Sequence, residues 1–290
     1  MLATSISVLT LFGDTKEIVA KETVIHIINT TNMNLNKLFN DFAKDLASRT
    51  SFLTEDSVRY LFYSEMLKQD PITDHYVMEV PFEMMRNTSF PYCLKTVQVS
   101  QPNTLTSSPS GKWLQELDML YDVTNKSTLS EDINDQNDDA KNPIICIEVK
   151  FHRKSGLSTN RPEPEAAGRI LNDMRRLQLL QPTADHSIIR LFVYVTDDDM
   201  HNYLSAVNRS TGSFNPSFRI PLSQFYKNGG PFPVTLPPTM PPSFYTQANH
   251  SFNPASPFTI SANMVFSRSI YTVCPVFLNG NCHISIFEIL

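Results

Sequence analysis

The sequence predicts an α/β protein, with a central β-sheet flanked by helices and a C-terminal Pro-rich and β extension. Three observations carry this. Residues 144–151 (IICIEVKF) and 187–196 (SIIRLFVYVT) are apolar, β-branched runs of strand length. Between them, beyond Pro164, Ile170, Leu171, Met174 and Leu177 recur at helical spacing. A strand, a helix and a second strand in that order form a crossover whose two strands lie parallel.

With 290 residues, 41% of them hydrophobic and 18% charged, the chain can bury a sizeable core, in one large domain or in one domain with a smaller annex. The net charge of −5 gives no overall positive field. That argues against a protein that simply coats DNA, and leaves room for an enzyme whose acidic centre offsets a basic groove. Cys93, Cys146, Cys274 and Cys282 are scattered without C-x-x-C spacing, so neither a zinc site nor a disulfide framework is predicted. Cys146 reads as a small buried thiol. The first residues lack the basic region and unbroken apolar stretch of a signal peptide, and no run reaches membrane-span length. A cytoplasmic location is the expectation.

Residues 1–33 read as an N-terminal arm or hairpin, with SISVLTLF and TVIHII as short strands and His26 as a core histidine. The helical period starts at Asn34, a cap for Leu35, Leu38, Phe39, Phe42 and Leu46. Thr54 caps a second helix whose first turn holds Glu55 and Asp56 and whose inner stripe is Val58, Leu61, Phe62 and Glu65. A carboxylate on that stripe either pairs with a lysine at its margin or points at a functional centre. Residues 75–82 alternate like a strand, with Pro81 marking an edge or an end. Residues 86–110 read as a loop with one short strand at 94–99, and residues 112–123 as a further strand.

Side chains two apart on a strand share a face. Ile145, Ile147, Val149 and Phe151 therefore point one way, and Cys146, Glu148, Lys150 and His152 the other. In residues 112–123, Glu116, Asp118 and Asp122 share a face. Pairing the two runs as neighbours sets Asp118 beside Glu148 and Lys150. Burying unpaired charges is costly, so such a cluster needs mutual pairing, a metal or a catalytic purpose. The spacer 124–142 is dense in Asp and Asn but lacks the glycine and terminal glutamate of a calcium loop, and reads as a solvated hairpin tip. From Lys150 to Arg176 there are seven Lys or Arg against three acidic residues. That run is either a solvated helix face or a phosphate-contacting surface. Residues 197–199 cap a further helix over 200–207.

Asp118-Met119-Leu120-Tyr121 followed by Glu148-Val149-Lys150 resembles the core motif of the PD-(D/E)XK, or restriction-endonuclease-like, nucleases. The predicted order agrees over residues 34–210: helix with Glu65, strand, strand with Asp118, strand with Glu148 and Lys150, helix, strand. Leu117 stands where the motif has its proline, and the spacer widens the gap between the two strands. The resemblance implies a restriction-endonuclease-like core with a mixed sheet. It implies a metal-dependent nuclease, a phosphodiester hydrolase acting on nucleic acid, DNA foremost, in a setting such as restriction or phage defence. In that reading Asp118 and Glu148 hold Mg²⁺ or Mn²⁺, Glu65 is an outer or second-metal ligand, and the Val149 carbonyl completes the set. Lys150 orients or deprotonates the attacking water, and Arg153 and Lys154 bind phosphate. Glu116 and Asp122 are the rivals of Asp118, with Asp122 read as a solvated strand end. The alternative is a catalytically inactive nuclease fold, a nucleic-acid- or protein-binding module in which Glu148 and Lys150 are an internal ion pair.

Residues 211–290 combine a Pro-rich segment with two strands, 264–273 and 283–289, turned through Asn279-Gly280. They read as a small β annex packed on the core, a homodimer contact or a specificity element. Other chemistries lack their signatures: the chain has no G-x-S-x-G, no G-x-x-x-x-G-K and no G-x-G-x-x-G.

Overall fold

The computed structural model of the protein describes residues 33–51, 53–82, 85, 97–100, 116–123, 143–153, 163–183, 187–205, 230–234, 258–274 and 280–290. The expected N-terminal arm, the 124–142 spacer and most of the Pro-rich segment lie outside these residues. Helix α1 is Leu35–Ser48 and α2 is Glu55–Leu67. The strands are β1 (Tyr76–Pro81), β2 (Val97–Val99), β3 (Glu116–Tyr121) and β4 (Ile144–His152). Helix α3 (Glu163–Leu179) leads into β5 (Leu180–Pro182) and β6 (Ile188–Asp197), then α4 (Asp198–Ser205). Strands β7 (Gly230–Val234), β8 (Phe258–Tyr271) and β9 (Asn281–Ile289) follow.

Seven strands form one mixed sheet in the order β1-β3-β4-β6-β9-β8-β7, and β2 pairs with β5 in a separate ribbon. β4 and β6 run parallel from Ile144↔Ile188 to His152↔Thr196, with α3 between them in sequence, and every other pairing is antiparallel. β1 is an edge strand, as Pro81 requires. The C-terminal strands are not an annex packed on the core: β9 hydrogen-bonds along β6 and so continues the central sheet. Gly280, at φ 71°, precedes β9, and its C=O accepts from Thr272 N–H at 2.7 Å. Among the described residues, no helix is long and apolar enough to cross a membrane.

The alternation of β4 divides the core. Ile145, Ile147, Val149 and Phe151 pack with the inner faces of α1 and α2. There Phe42 and Phe62 meet edge to face at 5.1 Å. Cys146, Phe192 and Tyr194 lie on the opposite face against Ala167, Ile170, Leu171, Met174 and Leu177 of α3. The helix starts are those the caps dictate: Lys37 N–H donates to Asn34 Oδ1 at 2.9 Å, and Ser57 N–H to Thr54 Oγ1 at 3.1 Å.

Candidate active site

The ladder between β3 and β4 pairs Met119 with Ile147 and ends there, one residue short of Asp118 and Glu148. On the other side of β3, Asp118 lies between residues paired with Met78 and Val80, and Glu79 between those two takes φ 53°. A non-glycine residue in that region marks a local departure from the strand. Beyond the break, carboxylates rather than carbonyls receive the edge N–H groups of β4. Asp118 Oδ2 accepts from Val149 N–H at 2.7 Å, and Glu55 Oε2 accepts from Phe151 N–H at 3.4 Å.

Around this edge the fold gathers five carboxylates and three cations. Lys150 Nζ lies 3.2 Å from Glu55 Oε1, 3.5 Å from Asp173 Oδ2 and 3.6 Å from Glu148 Oε1. Arg176 reaches Glu148 Oε1 at 2.9 Å and also pairs with Asp173, three residues back on α3. Arg59 of α2 holds Asp118 Oδ1 at 3.0 Å and Glu79 Oε1 at 3.1 Å. Glu148, Asp118 and Asp173 are all buried.

This burial sets the protonation. Loss of water pushes the Glu148 carboxyl up to about 8, with the neighbouring Asp118 and Asp173 adding to the rise and Arg176 opposing it. Burial likewise raises Asp118, against the pull of Lys150, the Val149 N–H and Arg59. On Lys150, burial alone would lower the pKa, but Asp173, Glu148, Glu55 and Asp118 outweigh it and hold the ammonium well above its usual range. These carboxylates favour the ammonium form of Lys150, which suits orienting a water better than taking a proton from one.

Sequence reasoning and structure differ over the remaining candidates. Glu65 is buried on the α2 stripe, but its partner is Lys68. Ten residues separate it from Glu55, about 15 Å of helix. The α2 carboxylate at Lys150 is Glu55, from the first turn. Asp122 is buried rather than solvated, next to the β1 end where its N–H donates to His75 O at 2.8 Å. Glu116 is exposed at the start of β3. Arg153 is half-buried just past β4, and Lys154 lies outside the described residues. Asp173 and Arg176 were passed over, although Asp173 falls between Ile170 and Leu177 on the inward stripe of α3 and so carried a signal of its own. Arg59 carried none.

His152 extends the polar face beyond Lys150. Its Nδ1 lies 3.1 Å from Tyr194 Oη, and burial, reinforced by Lys150, lowers its pKa to about 4.

Among the described residues, no three His, Cys, Asp or Glu side chains are grouped so that they could hold a metal ion. Asp118 and Glu148 supply two hard oxygen donors, the number Mg²⁺ commonly takes from a protein while it keeps waters and substrate oxygens. Asp173 Oδ2 is buried and accepts no hydrogen bond within the described residues. Asp118 and Glu148 are thus oxygen donors of the type a hard divalent cation takes, each paired here with an arginine.

No protein-family model, curated protein or solved structure matches the chain.

Proposed function

We propose that the chain is a metal-dependent nuclease of restriction-endonuclease-like architecture that hydrolyses phosphodiester bonds in nucleic acid, with DNA the first substrate to test. The observation that carries this is the convergence of Asp118, Glu148 and Lys150 at one buried edge of β4. Its support is the order around that edge: α2, β1, β3 with Asp118, β4 with Glu148 and Lys150, α3, then β6 parallel to β4. Asp118, Glu148 and the Val149 carbonyl would hold Mg²⁺ or Mn²⁺, with Glu55 in the place the sequence reading gave to Glu65. When bound, the ion supplies Lewis acidity at the phosphate and acidifies a water. The protein's own contribution is positional and electrostatic. Lys150, held charged, orients a water or a phosphate oxygen, while Glu55 and Asp173 fix its ammonium from two helices.

The test is cleavage of supercoiled plasmid and single-stranded DNA with Mg²⁺ or Mn²⁺. Wild type should cut, and Asp118→Ala and Lys150→Ala should not. Cutting that survives in both variants would remove the assignment.

One observation favours the second reading, a nuclease-fold binding module. Each site carboxylate already has a protein cation: Arg59 on Asp118, Arg176 on Glu148 and Asp173, and Lys150 on Glu55. A binding module leaves Mg²⁺ unbound at millimolar concentration in a calorimetric titration. The enzyme binds it.

A further inference from the structure

Three strands away from the carboxylate cluster, a different set of groups is assembled. The pairing His152↔Thr196, Thr196↔His283 and Ser269↔His283 runs straight across β4, β6, β9 and β8. At inter-strand spacing this places Ser269 about 14 Å from His152. His283 Nε2 lies 2.5 Å from Asp198 Oδ1, at the start of α4. Asp198 Oδ2 accepts from Asn281 Nδ2 at 2.7 Å, which fixes the carboxylate. Burial alone would raise the Asp198 carboxyl, but the bonds from Asn281 and then His283, with the nearby histidines, outweigh it and hold the carboxyl below the usual carboxylate range. On the other side of the ring, Ser269 Oγ lies 2.8 Å from His283 Nδ1.

The tautomer follows from the partners. A carboxylate only accepts, so the proton of the neutral ring sits on Nε2, and Nδ1 is the acceptor for the Ser269 hydroxyl. The ring is also fixed in its plane. His201 of α4 lies parallel to it at 4.0 Å and 9°, and burial keeps His201 neutral at neutral pH by lowering its pKa to about 4. His283 and Asp198 are partly covered, at 13% and 31% side-chain exposure, whereas Ser269 is exposed. A reachable hydroxyl, a base within hydrogen-bond distance and an anion that orients the base together make up an activated nucleophile.

We infer that Ser269, with His283 as its base and Asp198 positioning that base, is a second reactive centre that takes acyl groups from activated carboxylic esters. Ser269 Oγ forms a bond to the carbonyl carbon, and its proton passes to His283 Nδ1. The C–O bond to the leaving group then breaks, and that oxygen leaves with the proton from His283. Water, deprotonated by the same nitrogen, next forms a bond to the carbonyl carbon, the Oγ–C bond breaks, and Ser269 recovers its proton. The net reaction is ester plus water to acid plus alcohol, without an oxidant or other co-reactant. No oxyanion donor is part of the claim, which limits the substrates to esters whose leaving groups need little help, such as aryl esters.

The experiment is reaction of the full chain with a biotinylated fluorophosphonate, in which the activated Oγ attacks phosphorus and expels fluoride to leave an irreversible Oγ–P bond, followed by peptide mass mapping. Wild type should be labelled at Ser269 and Ser269→Ala should not. His283→Gln should label about 100-fold more slowly, the size of a general-base contribution. Asp198→Asn, which keeps the shape and a hydrogen bond, should also slow labelling while circular dichroism stays that of wild type. p-Nitrophenyl acetate hydrolysis should fall in the same order. Absence of label on Ser269 in folded wild type, or equal labelling rates in wild type and a folded His283→Gln, overturns the inference. Neither outcome bears on phosphodiester cleavage.

Discussion

Asp118 Oδ2 and the backbone N–H of Val149 meet at 2.7 Å, so a side chain completes a hydrogen-bond ladder that β3 leaves unfinished. The same carboxylate holds Arg59 through its other oxygen. Asp118 thus has a structural load apart from any chemistry, and the two can be separated. Asp118→Ala leaves the buried Val149 N–H without its acceptor and Arg59 with only its other carboxylates, Glu79 and Asp56, and should cost about 3 kcal/mol. Asp118→Asn keeps an oxygen for Val149 and should cost about 1 kcal/mol. Urea unfolding measures both. Both variants should lose cleavage alike, since neither holds a cation with a charged oxygen. Equal stability of the two would show that the Val149 bond is not what the carboxylate supports.

Glu55 and Glu65 give the next contrast. Glu55 touches Lys150 Nζ at 3.2 Å, whereas Glu65 sits about three helical turns away with Lys68. Glu55→Gln should lower cleavage about tenfold or more by loosening Lys150. Glu65→Gln should leave cleavage within about twofold and register only in thermal melting. Quantified plasmid nicking by both variants decides between them. A larger loss from Glu65→Gln would return the ligand role to that residue.

How far these positions could be read in the sequence follows from what periodicity encodes. Alternation along a strand fixes faces, so Glu148 and Lys150 side by side were legible, as were the caps Asn34 and Thr54. A helical stripe fixes a face but not a height along the axis. Glu65 was therefore correctly placed on the buried side of α2 and wrongly aimed at a centre that Glu55 reaches. Nothing in a strand's own alternation names its neighbour. For that reason β9, set off by a Pro-rich stretch, read as part of an annex although its partner is β6. Asp122 misled for a related reason, since the polar spacer after it says nothing about the β1 end that covers it.

Glu148 makes stability depend on pH. Its carboxyl moves from 4.5 in an unfolded reference to about 8 in the fold, so the folded state binds a proton that the unfolded chain has released. The stability tied to that proton is full below about pH 4.5 and is lost as pH rises toward 8. Wild type should therefore weaken in urea between pH 5 and pH 8 by an amount on the order of 3 kcal/mol. Glu148→Gln, neutral throughout and still flanked by the Asp173–Arg176 pair, should show a flatter profile in that window. Parallel profiles for the two proteins would place the titrating proton elsewhere.

Arg59 separates the enzyme from the binding module most directly. Its guanidinium lies 3.0 Å from Asp118 Oδ1, on the oxygen that does not serve Val149 and is therefore the one open to a divalent ion. Two cations cannot share that oxygen without repulsion at short range. If Asp118 is a metal ligand, Arg59→Gln removes the competitor and should tighten Mg²⁺ about tenfold, or about 1.4 kcal/mol, in a calorimetric titration. The same change should lower stability by about 3 kcal/mol, because Asp118 and its buried charge lose their partner. In the enzyme, Mg²⁺ then restores part of that loss, since an ion that binds only the folded state stabilises it. In a module whose carboxylates serve only internal ion pairs, Arg59→Gln destabilises equally but Mg²⁺ restores nothing. Melting temperature with and without millimolar Mg²⁺ reads the difference, with the Asp118→Asn protein as the baseline in which no rescue is expected.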